Sequence, residues 1–499
     1  MSRALLLSLI GAVLLPGLAS AQRPTLSGTE QTFVSDDGWF RVHWTESGVD
    51  STTLAYVQEV AVAADSSWLV QVIELGFLEP PSDLGLGGDD LYDIYLLDST
   101  VEGYVSTAGE PDDPTTPNND SASHMVVSTG LDDVEERRCL VAGLFQYACQ
   151  AAADVDEATW LKVNCSTWAQ EQVYPEYDCY LTAEGDGSIV YPWKSIPSSA
   201  AIGVSYSWAW FIEDRLGAGA VADVWQRCAD VAGANSWEAC EDVFEDYGVQ
   251  FQDGFMEYGM WRFLTHEYWL DGWGFGPDAQ SWEPGPTILD QHLVSSLPDS
   301  ANWSGSDEND PEIWGLNWIR VDLSEYQSGW VTMDFQGDES LGWMLGVLMW
   351  NGEACQFYPY DVPASGELSV SVAGSGWDYA VFFPARVAES AGMGAFHSAL
   401  SYSTEVEGEE GGPGEPMLQL AGNPVGAGTE VTAIVLQPGH VSLAVYDLAG
   451  RRVATLLDDE LASGSHSVSL EGLDLLPGSY LFTLRTAGGM AAGRMTVLR

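Results

Sequence analysis

The sequence predicts a multidomain α+β protein: a front domain that mixes helices and strands, then a β-sandwich, then a second and smaller β-sandwich. Three observations carry this expectation. Leu140 to Asp154 and Trp160 to Glu176 read as helices, and on the first of them Cys139, Ala142, Gln146 and Cys149 follow one another at offsets of three, four and three, which is a single helical face. From Ala301 to Ser403 the pattern changes to short alternating runs (WIRVDL, WVTMDF, WMLGVLMW, LSVSVAG, YAVFFPA) separated by Gly, Asp or Pro, the period-two signature of an antiparallel sandwich. Glu405 to Pro416 (EVEGEEGGPGEP) then almost lacks apolar residues and reads as a flexible linker, after which alternation resumes with Pro-Gly and Ala-Gly turns.

These shifts divide the 499 residues into a front domain at 22–295, a sandwich at 296–403, an acidic Gly/Pro linker at 404–416 and a terminal module at 417–499. The length is sufficient for each part to bury a core. Residues 1–21 (MSRALLLSLIGAVLLPGLASA) hold one arginine, an apolar run and the small-residue pattern Ala19-Ser20-Ala21, and so read as a signal peptide. No later stretch reaches the roughly 18 consecutive apolar residues of a spanning helix. The chain is therefore expected to be secreted or held at the outer cell surface.

Charge narrows the partners. The chain carries 74 acidic residues against 17 Lys plus Arg, a formal net charge of −57, and its lysines are Lys162 and Lys194. Such a field repels phosphate backbones and anionic membranes, which argues against a nucleic-acid ligand. Solubility of an exported protein explains it. Calcium binding is the sharper alternative, with the acidic clusters Asp83 to Asp98 and Asp307 to Glu312 as its places, although neither follows the spacing of an EF-hand loop.

The helical pair LVAGLFQYACQAAAD and WLKVNCSTWAQEQVYPE resembles the active-site helices of a family of secreted bacterial zinc metallopeptidases, which read approximately AHEFFHAIQ and EGTATWMED there. Upstream, Phe40 to Ser51, Leu75 to Asp98 (with its GGDD-x-YD-x-Y-x-x-D string) and Glu102 to Val105 are similar to that family's amino-terminal sheet, and Tyr206 to Gly217 to a later helix. The resemblance spans roughly residues 38 to 265 and implies a zincin-like front domain. On its frame Ala142 and Gln146 hold the two histidine positions, Gly143 the general-base glutamate and Val163 the third ligand. Paired histidines four apart can grip one tetrahedral ion, but a methyl, an amide and an isopropyl group cannot, and glycine offers no carboxylate to activate water. What the resemblance implies is a peptidase fold that has lost zinc and catalysis, with its cleft kept as a peptide- or polymer-binding surface. A working metallohydrolase with displaced ligands among Asp154, Glu157, Glu171 and Glu176 is the alternative from the same frame.

Seven cysteines in an exported chain invite disulfides, and six lie in the front domain: Cys139, Cys149, Cys165, Cys179, Cys228 and Cys240, with Cys355 apart. Six permit fifteen pairings. On the metallopeptidase frame, Cys149 with Cys165 would clip together the helices the metal once joined, Cys228 with Cys240 would staple a helical hairpin, and Cys139 with Cys179 would complete the set. A thiol enzyme using Cys149 or Cys165 competes with this, but no histidine lies near either in sequence.

The terminal module resembles the carboxy-terminal sorting domains of the type IX secretion system and the immunoglobulin-like domain of flagellar hook-cap proteins, through Asn423-Pro424, Val445-Tyr446-Asp447, Gly450 to Val453, Leu475 to Tyr480 and the closing RMTVLR. That implies contact with the type IX machinery, or else a plain β module that mediates adhesion. Of the 21 tryptophans, Trp208, Trp210, Trp225, Trp261, Trp269 and Trp273 are expected in core packing. Trp303, Trp314, Trp318, Trp330, Trp343 and Trp350 alternate with polar residues and include candidates for an aromatic platform, which makes a carbohydrate- or polymer-binding surface protein the third functional reading.

Overall fold

A computed structural model describes residues 23–497 apart from 113–115, 117, 180–186, 197–205, 281, 283–290, 305–308, 388–393 and 405–416, and apart from 421–429, 436–438, 448–451, 462–463, 471–477 and 487–488 in the last module. The expected signal peptide, Asp307, nearly all of the linker and Asn423-Pro424 lie outside the described residues.

Alternation builds the front sheet. Its strands are β1 (Glu30–Val34), β2 (Phe40–Thr45), β3 (Tyr92–Leu97), β4 (Gly103–Ser106) and β5 (His124–Ser128), in the order β1-β2-β3-β5-β4. The central pairings β2–β3 and β3–β5 are parallel, and the edge strands β1 and β4 are antiparallel. Phe40, Val42, Trp44, Ile94, Leu96, Met125 and Val127 point to one side and join the main hydrophobic core. The period of two therefore sends Arg41, His43, Asp93, Tyr95 and His124 to the other face.

Helices α1 (Leu54–Trp68), α2 (Val134–Ala153), α3 (Thr159–Val173), α4 (Gly187–Val190), α5 (Ser207–Leu216), α6 (Ala220–Asp230), α7 (Ser236–Asp246) and α8 (Phe251–Phe263) form the rest of the front part. Thr53 caps α1 through Tyr56 N at 3.2 Å, and Asp133 caps α2 through Glu135 N at 2.8 Å, each satisfying a free helix N–H. From Leu140 to Ala153 every residue of α2 is buried, as befits a helix enclosed on all sides. Trp208 and Trp225 lie in this core, with Trp208 stacked on Phe244 at 5.8 Å, while Trp210, Trp269 and Trp273 are half-buried.

The sandwich begins with β6 (Gln291–Val294), before residue 296. It continues through β7 (Asp299–Ser304), β8 (Trp318–Asp322), β9 (Trp330–Gly337), β10 (Trp343–Trp350), β11 (Cys355–Asp361), β12 (Glu367–Ala373), β13 (Tyr379–Arg386) and β14 (Ala395–Ser403). Its sheets run β11-β10-β13-β8-β6 and β12-β9-β14-β7. The pairings are antiparallel apart from β6 with β8, which is parallel. Leu345, Val347 and Met349 fill the core between the sheets, whereas Met344 and Leu348 enter the core shared with the helices. A strand buried on both faces reads as a continuous apolar run, and WMLGVLMW is one. Through that shared core the helical layer and the sandwich cluster as a single unit ending at Val406.

The second unit, Glu407–Arg499, has a core of its own containing Val431, Val441, Leu443, Val445, Phe482 and Leu484. Its three-stranded sheet takes β15 (Met417–Leu420), β16 (Glu430–Val435) and β19 (Gly464–Ser469). The four-stranded sheet takes β17 (Gly439–Asp447), β18 (Arg452–Leu461), β20 (Gly478–Thr486) and β21 (Gly489–Val497). The protein is a multidomain α+β chain; the zincin-like form expected of its front part is not shown. No helix among the described residues is long and apolar enough to cross a membrane.

Of the three expected cysteine pairs one is present and two need correcting. Cys139 and Cys179 are joined, with Cα atoms 5.8 Å apart and a sequence separation of 40. Cys149, Cys165, Cys228 and Cys240 are buried free thiols, as is Cys355. Geometry explains the first failure. Helix α2 meets α3 through Gly143, Tyr147 and Gln150, where Ser166 bonds the Gly143 carbonyl at 2.9 Å and Gln150 the Lys162 carbonyl at 3.1 Å. Cys149 lies about 120° around the helix from that face. It sits toward Tyr92 of the sheet, while Cys165 sits toward Trp225 of α6.

Candidate ligand-binding site

The positions singled out on the helix pair come together, but as packing. Ala142 is fully buried, with its carbonyl accepting a hydrogen bond from Gln71 at 2.9 Å. A Cβ at Gly143 would stand 2.5 Å from Gln170 Nε2, so a larger residue there would have to displace the Gln170 amide of α3. Gln146 is wholly enclosed, with neither amide atom hydrogen-bonded among the described residues, and Val163 is buried on α3. The displaced carboxylates do not gather here. Glu157 accepts from Asn235 N and Ser236 and thereby ties α7 to the α2–α3 loop, Asp154 caps Asp156 N at 2.8 Å, and Glu176 is exposed. Glu171 is buried on α3. Burial pushes the Cys149 thiol well above its usual range and that of Cys165 up to about 12, which removes the thiolate a thiol enzyme needs. Within the acidic clusters Asp83 and Asp93 pair with Arg23, Asp89 with Arg41, and Glu312 with Lys194.

The open end of the sandwich offers different chemistry. Of the tryptophans expected to alternate, Trp314, Trp318 and Trp343 are buried, whereas Trp303, Trp330 and Trp350 are half-buried. Trp303 is covered by Phe396, stacked at 4.1 Å. Trp350 closes β10 and is paired in register with Tyr379, which opens β13. Their rings stack at 5.5 Å and 27°, and both stay partly open to solvent. Both lie on the sheet face toward the helices, at the rim where the helical layer stops. Tyr268, from a 3-10 turn at His266–Tyr268 after α8, closes the floor: its ring meets Trp350 edge-on at 5.6 Å, and its carbonyl accepts from Trp350 Nε1 at 3.1 Å.

Arg320 completes the group. On β8 it alternates to the same face as Trp318 and Asp322, and Asp322 is in register with Tyr379. Its guanidinium lies 4.7 Å from the ring centre of Tyr379 and 5.6 Å from that of Tyr268, and donates to the Tyr268 hydroxyl. No carboxylate is among these partners, in a chain of net charge −57. Exposed Asp322 and Asp378 stand at the margin. The surrounding loops hold one another: Asn351 donates to the Gly376 carbonyl at 2.9 Å, Gln327 to the Trp377 carbonyl at 2.8 Å, and Gly376 N to Gln327 at 3.0 Å. The result is a pre-formed aromatic surface with a fork of donors and two acceptors beside it, which suits a ring having an apolar face and hydroxyl edges.

Trp350 was legible as a platform candidate; Arg320, Tyr379 and Tyr268 were not. A signal was present, since Arg320 and Arg386 are the two cations between residues 296 and 403, and Arg386 is fully buried.

No family model matches the chain, and no curated protein matches it. Solved structures similar to it include glycoside hydrolases. One is the Endo-D glycoside hydrolase domain from Streptococcus pneumoniae R6, at 8% identity and TM-score 0.14, covering 40% of this chain and 32% of that one. Another is a β-glucuronidase from Ruminococcus gnavus, at 12% identity and TM-score 0.14, covering 36% of each. A further structure of that enzyme has 11% identity and TM-score 0.14, with 42% and 45% covered. The chain thus spans less than half the length of these structures, and likenesses this slight carry no argument about its fold or activity. The metallopeptidase reading is corrected: no family model matches, and the chain is assigned neither to that family, nor to its inactive members, nor to the sorting-domain families.

Proposed function

We propose that this protein is an exported surface protein that binds a neutral polysaccharide through Trp350, Tyr379 and Arg320. The observation that supports it is the half-open Trp350–Tyr379 pair beside an arginine that forms no ion pair among the described residues. Stacking of a sugar's C–H face on an aromatic ring needs no charge, and the guanidinium and the carboxylates of Asp322 and Asp378 supply donors and acceptors for hydroxyls. A polyanionic glycan is disfavoured by the net charge of −57. The location rests on the signal peptide expected at 1–21, and contact of residues 417–499 with an export machinery belongs to the same proposal.

Retention on columns of insoluble neutral glucans, mannans and xylans tests the reading. The protein should be retarded on at least one, with its tryptophan fluorescence altered by the soluble oligosaccharide, and Trp350→Ala should run through while keeping the native unfolding curve. If the native protein runs through all three, or Trp350→Ala is retained equally, the proposal fails.

A further inference from the structure

The turn between β1 and β2 carries a second aromatic surface, with chemistry unlike that of the sandwich. Gly38, at φ 79°, lets the chain reverse through Ser35-Asp36-Asp37-Gly38 and sets Trp39 just ahead of β2. Trp39 lies flat on Trp68, the last residue of α1, at 5.5 Å and 14°, and Phe40 and Phe145 support Trp68 from the core at 5.8 and 5.6 Å. Both tryptophans stay half-exposed. Beyond Trp68 the helix continues as a π-helical turn, Leu69–Glu74, which holds Leu69 at 45% and Ile73 at 60% exposure. Turns of this kind are rare and recur at functional positions. Two such open aliphatic side chains next to an aromatic stack make a continuous apolar patch.

Acids border the patch. The Asp37 N–H donates to Asp65 Oδ2 at 3.2 Å, which ties the turn to α1 three residues before Trp68. Asp65 is 7% exposed, and its Oδ1 is enclosed with no hydrogen-bond partner among the described residues. Asp36 and Asp37 are exposed beside it. Burial pushes the Asp65 carboxyl above its usual range and both neighbouring acids push the same way, while the Ser35 hydroxyl and the Asp37 N–H offset only part of this. No cation is among the groups acting on it, and Arg41, the nearest in sequence, is held by Asp89. An enclosed acceptor beside two carboxylates without a counter-ion is a place where an incoming N–H group with positive charge gains most.

We infer that the Trp39 surface docks a basic amphipathic segment of another protein, whose Lys or Arg lies over Trp39 against Asp65, Asp36 and Asp37 and whose apolar side chains cover Leu69 and Ile73. An ammonium or guanidinium over an indole, with carboxylates next to it, is attracted by both. A neutral sugar leaves the three carboxylates unmatched, and a second copy of this chain brings another charge of −57 to an acidic surface. The field of the whole protein draws a basic partner in, and the patch decides where it settles. This surface stands apart from the glycan reading and does not depend on it.

The test titrates the whole chain with a labelled helical peptide of leucine and lysine that carries its leucines on one face, in about 0.15 M salt, where the field of an exposed charge reaches only about 8 Å. Peptide anisotropy and protein tryptophan fluorescence are read together. The native protein should bind; Asp36→Asn with Asp37→Asn should weaken binding at least about tenfold, Leu69→Ser with Ile73→Ser several-fold, and Trp39→Ala should weaken it and remove the fluorescence change. Glu339→Gln with Glu367→Gln, two exposed acids of the sandwich that alter the net charge equally, should change affinity by less than about twofold. Urea midpoints separate lost binding from lost folding, and the two pairs of exposed substitutions keep the test decisive if Trp39→Ala unfolds. Equal losses from the two acid pairs mean that the peptide reads net charge alone and overturn the site. So does a native protein that does not bind, or one that binds equally well a peptide with serine in place of leucine. A dimer in sedimentation that Leu69→Ser with Ile73→Ser dissociates assigns the patch to a second copy and overturns the basic partner.

Discussion

Two arginines on two sheet faces have opposite surroundings. Arg23 is nearly enclosed and shared among three buried carboxylates, whereas Arg320 is half-exposed, rests on two tyrosine rings and meets no carboxylate among its partners. Both face a sheet in a strongly acidic protein, so charge alone does not separate their roles. Completeness does. A guanidinium with its donors satisfied by buried acids has nothing left for a ligand, and its loss strands those acids. One held by aromatic faces keeps donors free, and its loss strands little.

The sharpest way to break this comparison is Arg23→Ala. Removing one partner of a buried ionic network costs about 3–5 kcal/mol, to be measured as a fall in unfolding free energy in urea, while Arg320→Ala should cost under about 1 kcal/mol. Equal costs would end the distinction. Next in size is Cys139→Ser with Cys179→Ser. Opening a loop of 40 residues should cost roughly 3–4 kcal/mol in the chain-entropy model, with calorimetry under oxidising conditions as the readout, and without change in glycan retention.

On the ligand side, Trp350→Ala should weaken oligosaccharide binding at least about tenfold, or 1.4 kcal/mol, by fluorescence titration. Arg320→Lys should weaken it several-fold without moving the unfolding midpoint, since an ammonium neither stacks on Tyr379 nor forks to two hydroxyls. An Arg320→Lys protein that binds as tightly as the native one would leave only the aromatic pair.

The smallest effect is on pH. Burial works against charge on His43, but Asp93 and Glu30 outweigh it and hold its pKa above the ordinary value. The stability this contributes is complete below the unfolded histidine value of about 6.5 and is lost as pH rises through the higher folded value. Burial likewise works against Glu110, yet His124 and Arg23 hold its pKa below the ordinary value. Its contribution is present above the unfolded glutamate value of about 4.3 and is lost as pH falls through the lower folded one. Burial raises Asp83 instead, which offsets part of the acid limb. Urea midpoints should therefore peak between roughly pH 4.5 and 6.5, and the alkaline limb should flatten in His43→Gln.

Much of the architecture was legible because it is periodic. WMLGVLMW and YAVFFPA read as strands and are strands, and Leu140 to Asp154 reads as a helix and lies largely within α2, which starts six residues earlier at Val134. The site was less so. Trp350 was visible as one of several alternating aromatics, but its openness depends on where the helical layer ends, and its companions come from β8, β13 and the turn after α8. Of the expected cysteine pairs, Cys139 with Cys179 is present, and Cys149 with Cys165 is not, for the same reason. A shared helix face fixed which residues of α2 lie together, but not that Cys149 turns to the sheet while Cys165 turns to α6.

By itself, then, the sequence determined the local elements, the acidic field and the arginine-poor sandwich, because periodicity and composition act within a few residues. Only the tertiary structure decided that Arg23 meets Asp83, Asp93 and Glu110, up to 87 residues away, and that Arg320 pairs with no carboxylate among the described residues. Which charges end up enclosed depends on how distant segments close over a sheet face, and burial, more than the count of charges, sets what each arginine can do.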